Sequence, residues 1–363
     1  MKKRVCCILF ALFLLLTVGC VGQPPVDSQT DSVSGTDSET NRTDTKEEWK
    51  PMDVVDDIVI ACDQRNRRLV MYDLGMLNPG DSLDLAEIWS FSFRTDWGTP
   101  SNVSGVKYRK NTVFGDVIIT CCSGGYAAII KYPSKEVVWE TRSCGNNPHS
   151  VEILPNGDLA CASSTGGTSQ LYRTSALLKG DKKVADSWKT YKLKGAHGVL
   201  WDPTEEVLWA LGDDELIAYG TKGGDDALEL SLMGGYGASL PKDYPSGHDL
   251  SADFLDKNCL LLTTNGGAIR FDKTTCEFSA NYQFNNVLKI AGTGFGNNPN
   301  GNYAFTRRHG GKGTPWEGQS FAAWCTPIIH FGQQTAENKM VVTQYYAADS
   351  AFYKVRIFYG EYQ

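Results

Sequence analysis

The feature that most constrains the fold of this chain is a strand–turn–strand pattern that restarts repeatedly from residue 53 onward. Each copy has a short strand, a turn of Gly, Asp or Asn, a more apolar strand, a second turn and a strand ending in an aromatic residue. Three copies begin on His149, His197 and His248, which are 48 and 51 residues apart, and copies without the histidine begin near Ser104 and Val287. One such unit cannot bury both faces of its sheet, so the units are expected to stack against one another.

Repeats of roughly 40 to 50 residues with about four strands each are typical of β-propeller blades. Residues 51–363 are therefore predicted to form one all-β domain, a β-propeller of six to seven four-stranded blades. The segments IVIACDQRNRRLVMYDL and MVVTQYYAADSAFYKVRIFYG at its two ends are alike. This likeness predicts that the N- and C-terminal strands pair in one closing blade. A Gly-rich insertion through Pro315 leaves the blade number open, and a tandem of β-sandwiches is an alternative that does not explain the repeated histidine.

The N-terminus has the organisation of a secretory signal peptide. Residues 2–4 are basic (KKR), and an apolar run of 14 residues follows from Val5 to Val18, which is short for a membrane span. The run ends in TVGC at residues 17–20, and this end resembles the lipobox of bacterial lipoproteins, although Leu16 lies one place earlier than that family favours. The resemblance implies a signal peptide at residues 1–19 and a diacylglycerol thioether on Cys20. An ordinary signal peptide that happens to contain a cysteine is the alternative.

Residues 20–50 are rich in Ser, Thr and Asp and almost free of apolar side chains. Such a segment buries too little apolar surface to offset the entropy of ordering, so a disordered tether is expected. The predicted location is the cell envelope, with the protein anchored to a bacterial membrane by its N-terminal lipid and the propeller outside the cytoplasm. We expect a monomer.

The net charge and the cysteine content limit which partners and cofactors the protein is expected to bind. The net charge is −7, and loss of residues 1–19 would leave 32 basic and 42 acidic residues. A surface of that sign repels phosphate backbones, so no nucleic-acid partner is expected. Eight cysteines remain beyond Cys20, and without C-x-x-C spacing they give no support for a thiolate metal cluster. We expect them to be small buried side chains rather than disulfides.

The repeated histidines are the one group of residues in the sequence that suggests a binding or catalytic site. His149, His197 and His248 begin the innermost strand of three consecutive blades, so their imidazoles should converge at one rim of the central channel. His309 is expected to approach the same rim. Convergent imidazoles bind transition metals, which makes a divalent metal a possible cofactor. Three roles stay open: structural lining of the channel, ligand binding without catalysis, and metal-assisted catalysis.

The repeats resemble an uncharacterised family of bacterial lipoprotein propellers and, more distantly, propellers of the NHL and lyase types. The lyase resemblance implies rim histidines that hold a divalent metal beside a uronate sugar, with Arg307 and Arg308 as partners for its carboxylate. No catalytic residue can be assigned from the sequence.

We favour a tethered module that binds a glycan, peptide or protein, with a metal-assisted polysaccharide lyase and a simple scaffold as alternatives. Tryptophans within strands are expected in the blade cores: Trp89, Trp139, Trp201 and Trp209. Trp97, Trp316 and Trp324 lie in loop-like segments, where stacking on a sugar ring competes with ordinary packing.

Overall fold

The computed structural model describes residues 57–93, 102–181, 184, 187–224, 228–279, 294–307, 322–335 and 340–362. The predicted signal peptide, Cys20 and the tether lie outside these ranges, as do Trp97, Trp316, Arg308 and His309. No helix within the described ranges has both the length and the apolar character needed to cross a membrane.

Within the described ranges the chain forms six four-stranded sheets, the blades of a β-propeller, and neighbouring strands in each blade are antiparallel. Blade 1 begins with β1 (Ile58–Asp63), β2 (Arg68–Asp73) and β3 (Glu87–Ser92). Blade 2 contains β4 (Val103–Thr112), β5 (Gly115–Cys122), β6 (Tyr126–Lys131) and β7 (Val137–Thr141). Blade 3 contains β8 (Pro148–Ile153), β9 (Leu159–Ser163), β10 (Thr168–Tyr172) and β11 (Lys189–Lys192).

The second half of the chain continues the series. Blade 4 contains β12 (Gly198–Asp202), β13 (Val207–Leu211), β14 (Glu215–Lys222) and β15 (Glu229–Ser239). Blade 5 contains β16 (Gly247–Ala252), β17 (Cys259–Thr264), β18 (Ala268–Asp272) and β19 (Glu277–Ser279). Blade 6 contains β20 (Phe295–Asn297), β21 (Asn302–Phe305), β22 (Ile328–Gln334) and β23 (Met340–Tyr346), and β24 (Phe352–Ile357) completes blade 1. Short 3-10 helices lie at Leu74–Met76, Leu83–Ala86 and Thr174–Lys179.

The innermost strands contact one another in a closed ring, in the order β4, β8, β12, β16, β20 and β24. Each blade is thus covered on both faces by its neighbours, and its inner strands need apolar residues throughout rather than in alternation. Every residue of β1 and of β17 is buried, whereas β23 at the outer edge of blade 6 has no buried residue. The hydrophobic core therefore lies between the blades, for example where Ile58 and Ile60 of blade 1 pack with Ile118 and Ile130 of blade 2.

Closure of the ring occurs in blade 1, as the similar chain ends predict. Strand β1 pairs with β24 from Val59 opposite Ile357 to Asp63 opposite Phe352. The buried Asp63 carboxylate accepts hydrogen bonds from the Ser350 hydroxyl and the Ala351 amide, both at 3.1 Å. The described chain has six blades, which settles the range of six to seven left open by the stretched unit after Val287.

The expected core residues are confirmed. The four strand tryptophans are all buried: Trp89, Trp139, Trp201 and Trp209. The eight cysteines beyond Cys20 are free thiols, and all except the half-buried Cys276 are buried. Within the described ranges these cysteines behave as small apolar side chains of the blades.

Candidate functional site

The structure brings three of the predicted site residues together at one end of the channel. His149 and His248 are the second residues of β8 and β16, and His197 directly precedes β12. The ring centroids of His149 and His197 are 4.3 Å apart in a stacked arrangement with 29° between their planes, and those of His197 and His248 are 4.8 Å apart edge to face, at 71°. The three imidazoles thus form one continuous row across blades 3, 4 and 5.

The residue after each histidine sets how closely the innermost strands approach. Gly198 follows His197, and a Cβ atom there would lie 2.6 Å from the Cβ of Leu250 on the next blade. Ser150 follows His149, and its hydroxyl accepts a hydrogen bond from the Val199 amide at 3.2 Å. These contacts hold β12 between β8 and β16, and so place the imidazoles in contact.

Each histidine also has a hydrogen-bond partner. The Nδ1 atom of His149 lies 3.0 Å from the Tyr353 hydroxyl of β24. His197 donates from Nδ1 to the Gly195 carbonyl at 2.7 Å, which leaves its Nε2 atom as an acceptor. The Nε2 atom of His248 lies 2.9 Å from the Asn265 side-chain oxygen. The rings are therefore held in place by β24, by the connection before β12 and by the turn after β17.

The environment keeps two of these imidazoles neutral. Burial lowers the pKa of His149 well below its ordinary value, and the nearby His197 and Lys354 act in the same direction. Burial also lowers the pKa of His197 to about 3, with a smaller contribution from His248. At neutral pH these rings offer hydrogen-bond donors and acceptors rather than positive charge.

The histidines line a cavity of about 440 Å³, which we call the histidine mouth. Its lining residues are Gln64, Asn102, Ser123, Asn147, His149, His197, His248, Trp324 and Tyr353. This lining combines side-chain amides, hydroxyls and imidazoles with one indole, and it contains no Asp, Glu, Lys or Arg side chain from the described residues. The Trp324 indole is 47% exposed and donates a hydrogen bond to Gln64 Oε1 at 3.0 Å.

A buried lysine outside the cavity lining binds the backbone of two of the three histidines. Lys354 of β24 donates to the backbone carbonyls of His149, at 2.9 Å, and His248, at 3.1 Å. Its ammonium also lies 3.2 Å from the Asp249 carboxylate. Lys354 thus ties three innermost strands together beneath the imidazoles.

The three rings are not arranged as a metal site among the described residues. Within the described ranges, no three or more His, Cys, Asp and Glu side chains are grouped so that they could hold a metal ion. Two of the three imidazoles stack face to face, and each has one nitrogen within hydrogen-bonding distance of a protein group. A divalent metal remains a prediction that this geometry does not favour.

The remaining predicted site residues are separate from the three histidines. His309 and Arg308 lie outside the described residues. Arg307 follows β21, whose end lies opposite the start of β20 at this rim, but it is not among the described residues that line the cavity. His330 is buried in blade 6, where its ring stacks on Phe305 with a centroid separation of 4.8 Å.

Sequence reasoning missed the amides and the tyrosine of the histidine mouth. Asn102 and Asn147 each directly precede an innermost strand, and both have a positive φ, of 42° and 60°, that asparagine tolerates better than most residues. Aligning the repeats SNVSG and NNPHS would have shown these asparagines at equivalent positions. Tyr353 has no such signal, because it reaches the site through closure of the ring.

Comparisons with known proteins identify similar folds and the family of this chain. A protein of unknown function from Bacteroides caccae is similar in structure, with a TM-score of 0.53 and 10% identity over 82% of this chain and 97% of that one. A functionally unknown protein from Desulfotomaculum acetoxidans has a TM-score of 0.51 and 10% identity over 85% of this chain and 88% of that one. None of the curated proteins matches this chain. The model of a family of unknown function, DUF6528, matches residues 29–284, and the chain therefore belongs to that family.

Proposed function

We propose that this propeller is a ligand-binding protein whose histidine mouth recognises an uncharged glycan. The observation that carries the proposal is the lining of that cavity, which combines uncharged polar groups with apolar ring surface and carries no formal charge from the described residues. Amides, hydroxyls and neutral imidazoles are both donors and acceptors, as the hydroxyl groups of a sugar require. A peptide or protein ligand is the weaker alternative.

The size of the cavity and its tryptophan support the same ligand class. A volume of about 440 Å³ lies in the range of small-molecule sites. The Trp324 indole is held by its hydrogen bond to Gln64 while nearly half of its surface stays exposed. A fixed and exposed aromatic face offers apolar contact area at a low entropic cost. Together these features fit a sugar ring stacked on Trp324 with its hydroxyls directed at the imidazoles and amides.

The N-terminal sequence features support a cellular location for the proposed glycan binding. A signal peptide at residues 1–19, an acylated Cys20 and a tether at residues 20–50 would hold the propeller outside the cytoplasm on a bacterial membrane. A tethered monomer of this kind meets extracellular or envelope glycans directly. This placement is part of the proposal.

The test is binding of the purified protein to an array of neutral and acidic oligosaccharides. Trp324→Ala should weaken binding of a neutral glycan by about tenfold or more, because it removes the stacking surface, typically worth over 1 kcal/mol at an aromatic anchor. Trp188→Ala is the matched control, since Trp188 is 41% exposed, directly precedes the outermost strand of blade 3 and is not among the residues that line the mouth. This control should bind as the wild type does.

Two outcomes of the array would contradict the proposal. Equal losses in the two tryptophan variants would place the binding site elsewhere. A preference for acidic oligosaccharides, together with a stoichiometric divalent metal that is lost in the His149→Ala/His197→Ala variant, would favour the polysaccharide-lyase alternative.

A further inference from the structure

The channel has a second mouth at the opposite end of the innermost strands, and its chemistry differs from that of the histidine mouth. A cavity of about 50 Å³ lies there among the later residues of β4, β16, β20 and β24 and the chain end that follows β24. Its polar lining includes Lys107, Arg109, Asn297 and Arg356, and its aromatic lining includes Phe254, Tyr359 and Tyr362. We call this cavity the cationic mouth.

The first ion cluster beside the cationic mouth has two cations for one carboxylate. The buried Glu152 carboxylate accepts from Arg109 Nη2 at 2.7 Å and Nε at 2.9 Å, and from Lys107 Nζ at 3.0 Å. Lys107 also donates to the Val199 carbonyl. All three side chains are buried, so water screens this cluster poorly.

The second ion cluster repeats the same imbalance. Arg356 holds Asp249 through two hydrogen bonds of 2.5 Å, and Lys354 lies 3.2 Å from the same carboxylate. Both carboxylates are ionised. Burial opposes their ionisation, but the neighbouring cations hold the pKa values of Asp249 and Glu152 below their ordinary range.

The core of the channel therefore carries an excess of positive charge. Among the described residues, the two clusters contain four cations, Lys107, Arg109, Lys354 and Arg356, and two carboxylates. Glu361 also lines the mouth, but its side chain is half exposed and lies 3.8 Å from Lys110 rather than in either cluster. The excess is local, since the whole chain has a net charge of −7.

An uncompensated buried charge is costly unless a counter-charge reaches it. Burial, with smaller contributions from the charges of Arg109 and Arg356, lowers the pKa of Lys107 to about 8 against the attraction of Glu152. Lys107 is therefore the cation that would gain most from an anion in the adjoining cavity.

We propose that the cationic mouth binds a small oxyanion, a carboxylate or a phosphate or sulfate group, through Lys107, Arg109 and Arg356. Guanidinium and ammonium groups are the usual partners of such anions. A volume of about 50 Å³ holds a few water molecules or one anionic head group, so the rest of a larger ligand would extend past Tyr359 and Tyr362. This site is independent of glycan binding at the histidine mouth.

The test compares anion affinities of the full-length protein and two lysine variants by calorimetry, with acetate, phosphate and sulfate as separate probes at constant ionic strength. Lys107→Met leaves the Arg109–Glu152 pair in place, and it should weaken binding by about tenfold or more because it removes a charged hydrogen-bond donor. Lys131→Met is the matched control, because it makes the same charge change in the same blade, and neither Lys131 nor its carboxylate partner Glu136 lines the cavity. It should stay within about twofold of the wild type. The probe that binds most tightly identifies the head group.

A second measurement needs no variant. Sulfate does not titrate between pH 6 and 9, so its affinity for the wild type should fall as Lys107 loses its proton above pH 8. Absence of saturable binding for all three anions, equal losses in the two variants, or a sulfate affinity that does not change from pH 6 to 9 would each overturn the proposal. Trp324→Ala should leave anion binding unchanged, which separates this test from that of the glycan site.

Discussion

At the scale of single residues, the histidine mouth depends on imidazoles that stay uncharged while in contact. Protonation of both His149 and His197 would place two positive charges on rings 4.3 Å apart, above the ammonium of Lys354. Neutral rings avoid that repulsion and can stack. The same neutrality is why we propose an uncharged ligand rather than an anion for this mouth.

This neutrality predicts an acid-labile protein. Below pH 6.5 the unfolded chain protonates its histidines, whereas folded His197 takes up its proton only near its pKa of about 3. The unfolded state then binds more protons, so the free energy of unfolding should fall as the pH falls from 6.5 to 4.5, by up to about 1.4 kcal/mol per pH unit for each histidine. Urea titrations of the wild type and of a His149→Gln/His197→Gln variant measure the slope.

The double variant should show a flatter pH dependence across that window, because glutamine keeps a polar amide but does not titrate. The carboxylates of Asp249 and Glu152, whose pKa values are held low, contribute at lower pH and leave the comparison intact. Identical slopes for the two proteins between pH 6.5 and 4.5 would show that the histidines are not buried in neutral form.

The positions of the three site histidines could be predicted from the sequence, because they recur at one place in a repeat. Their hydrogen-bond partners could not. Tyr353 is 204 residues from His149 along the chain, and no local pattern marks it as a neighbour. Trp324 is one of three tryptophans in loop-like sequence segments, and only the structure shows its exposed face at the mouth.

At the scale of elements, the site depends on how closely neighbouring innermost strands pack. A glycine in β4 and another in β12 allow this approach, since a Cβ atom on Gly105 would lie 2.8 Å from the His149 carbonyl and one on Gly198 would lie 2.6 Å from Leu250. Contacts this short leave no room for a side chain between the strands. The spacing of the imidazoles is therefore set by the backbone of the blades.

Gly198→Ala should be destabilising and should weaken glycan binding. The added methyl group would force β12 away from β16, with an expected loss of about 1–3 kcal/mol in the free energy of unfolding. Gly224→Ala is the matched control, because a Cβ atom there has no neighbour within 4 Å, and its effect should stay within about 0.5 kcal/mol. Equal unfolding midpoints in urea for the two variants would show that β12 and β16 have room for a methyl group at Gly198.

The order of strands and turns within a blade can be predicted from the repeat, but the number of blades in the molecule cannot. The Asn156-Gly157 and Asn265-Gly266 turns lie between paired strands as their sequences suggest. The sequence of blade 6 does not show its limits, because its second and third strands are separated by residues 306–327, a segment with several glycines and no repeat signal. That insertion is the physical reason why the sequence left a choice between six and seven blades.

At the scale of the whole molecule, closure of the ring produces one channel with two different ends. The C-terminal strand β24 supplies Tyr353 to the histidine mouth, Lys354 beneath it and Arg356 to the cationic mouth. The ion pairs of the channel join strands far apart in sequence, such as Asp249 of β16 and Arg356. Sequence patterns carry no signal for such pairs, so the charge of the channel emerges only from the closed ring.

The most direct test of the account is a histidine-selective NMR titration of the full-length protein with neutral oligosaccharides. The chain has only five histidines, so the ring signals can be assigned with His→Gln variants. We expect a bound glycan to shift the signals of His149, His197 and His248 and to leave that of His330, buried in blade 6, unchanged. A glycan that binds without shifting the first three signals, or a panel in which no glycan shifts them, would contradict the assignment of the histidine mouth as the ligand site.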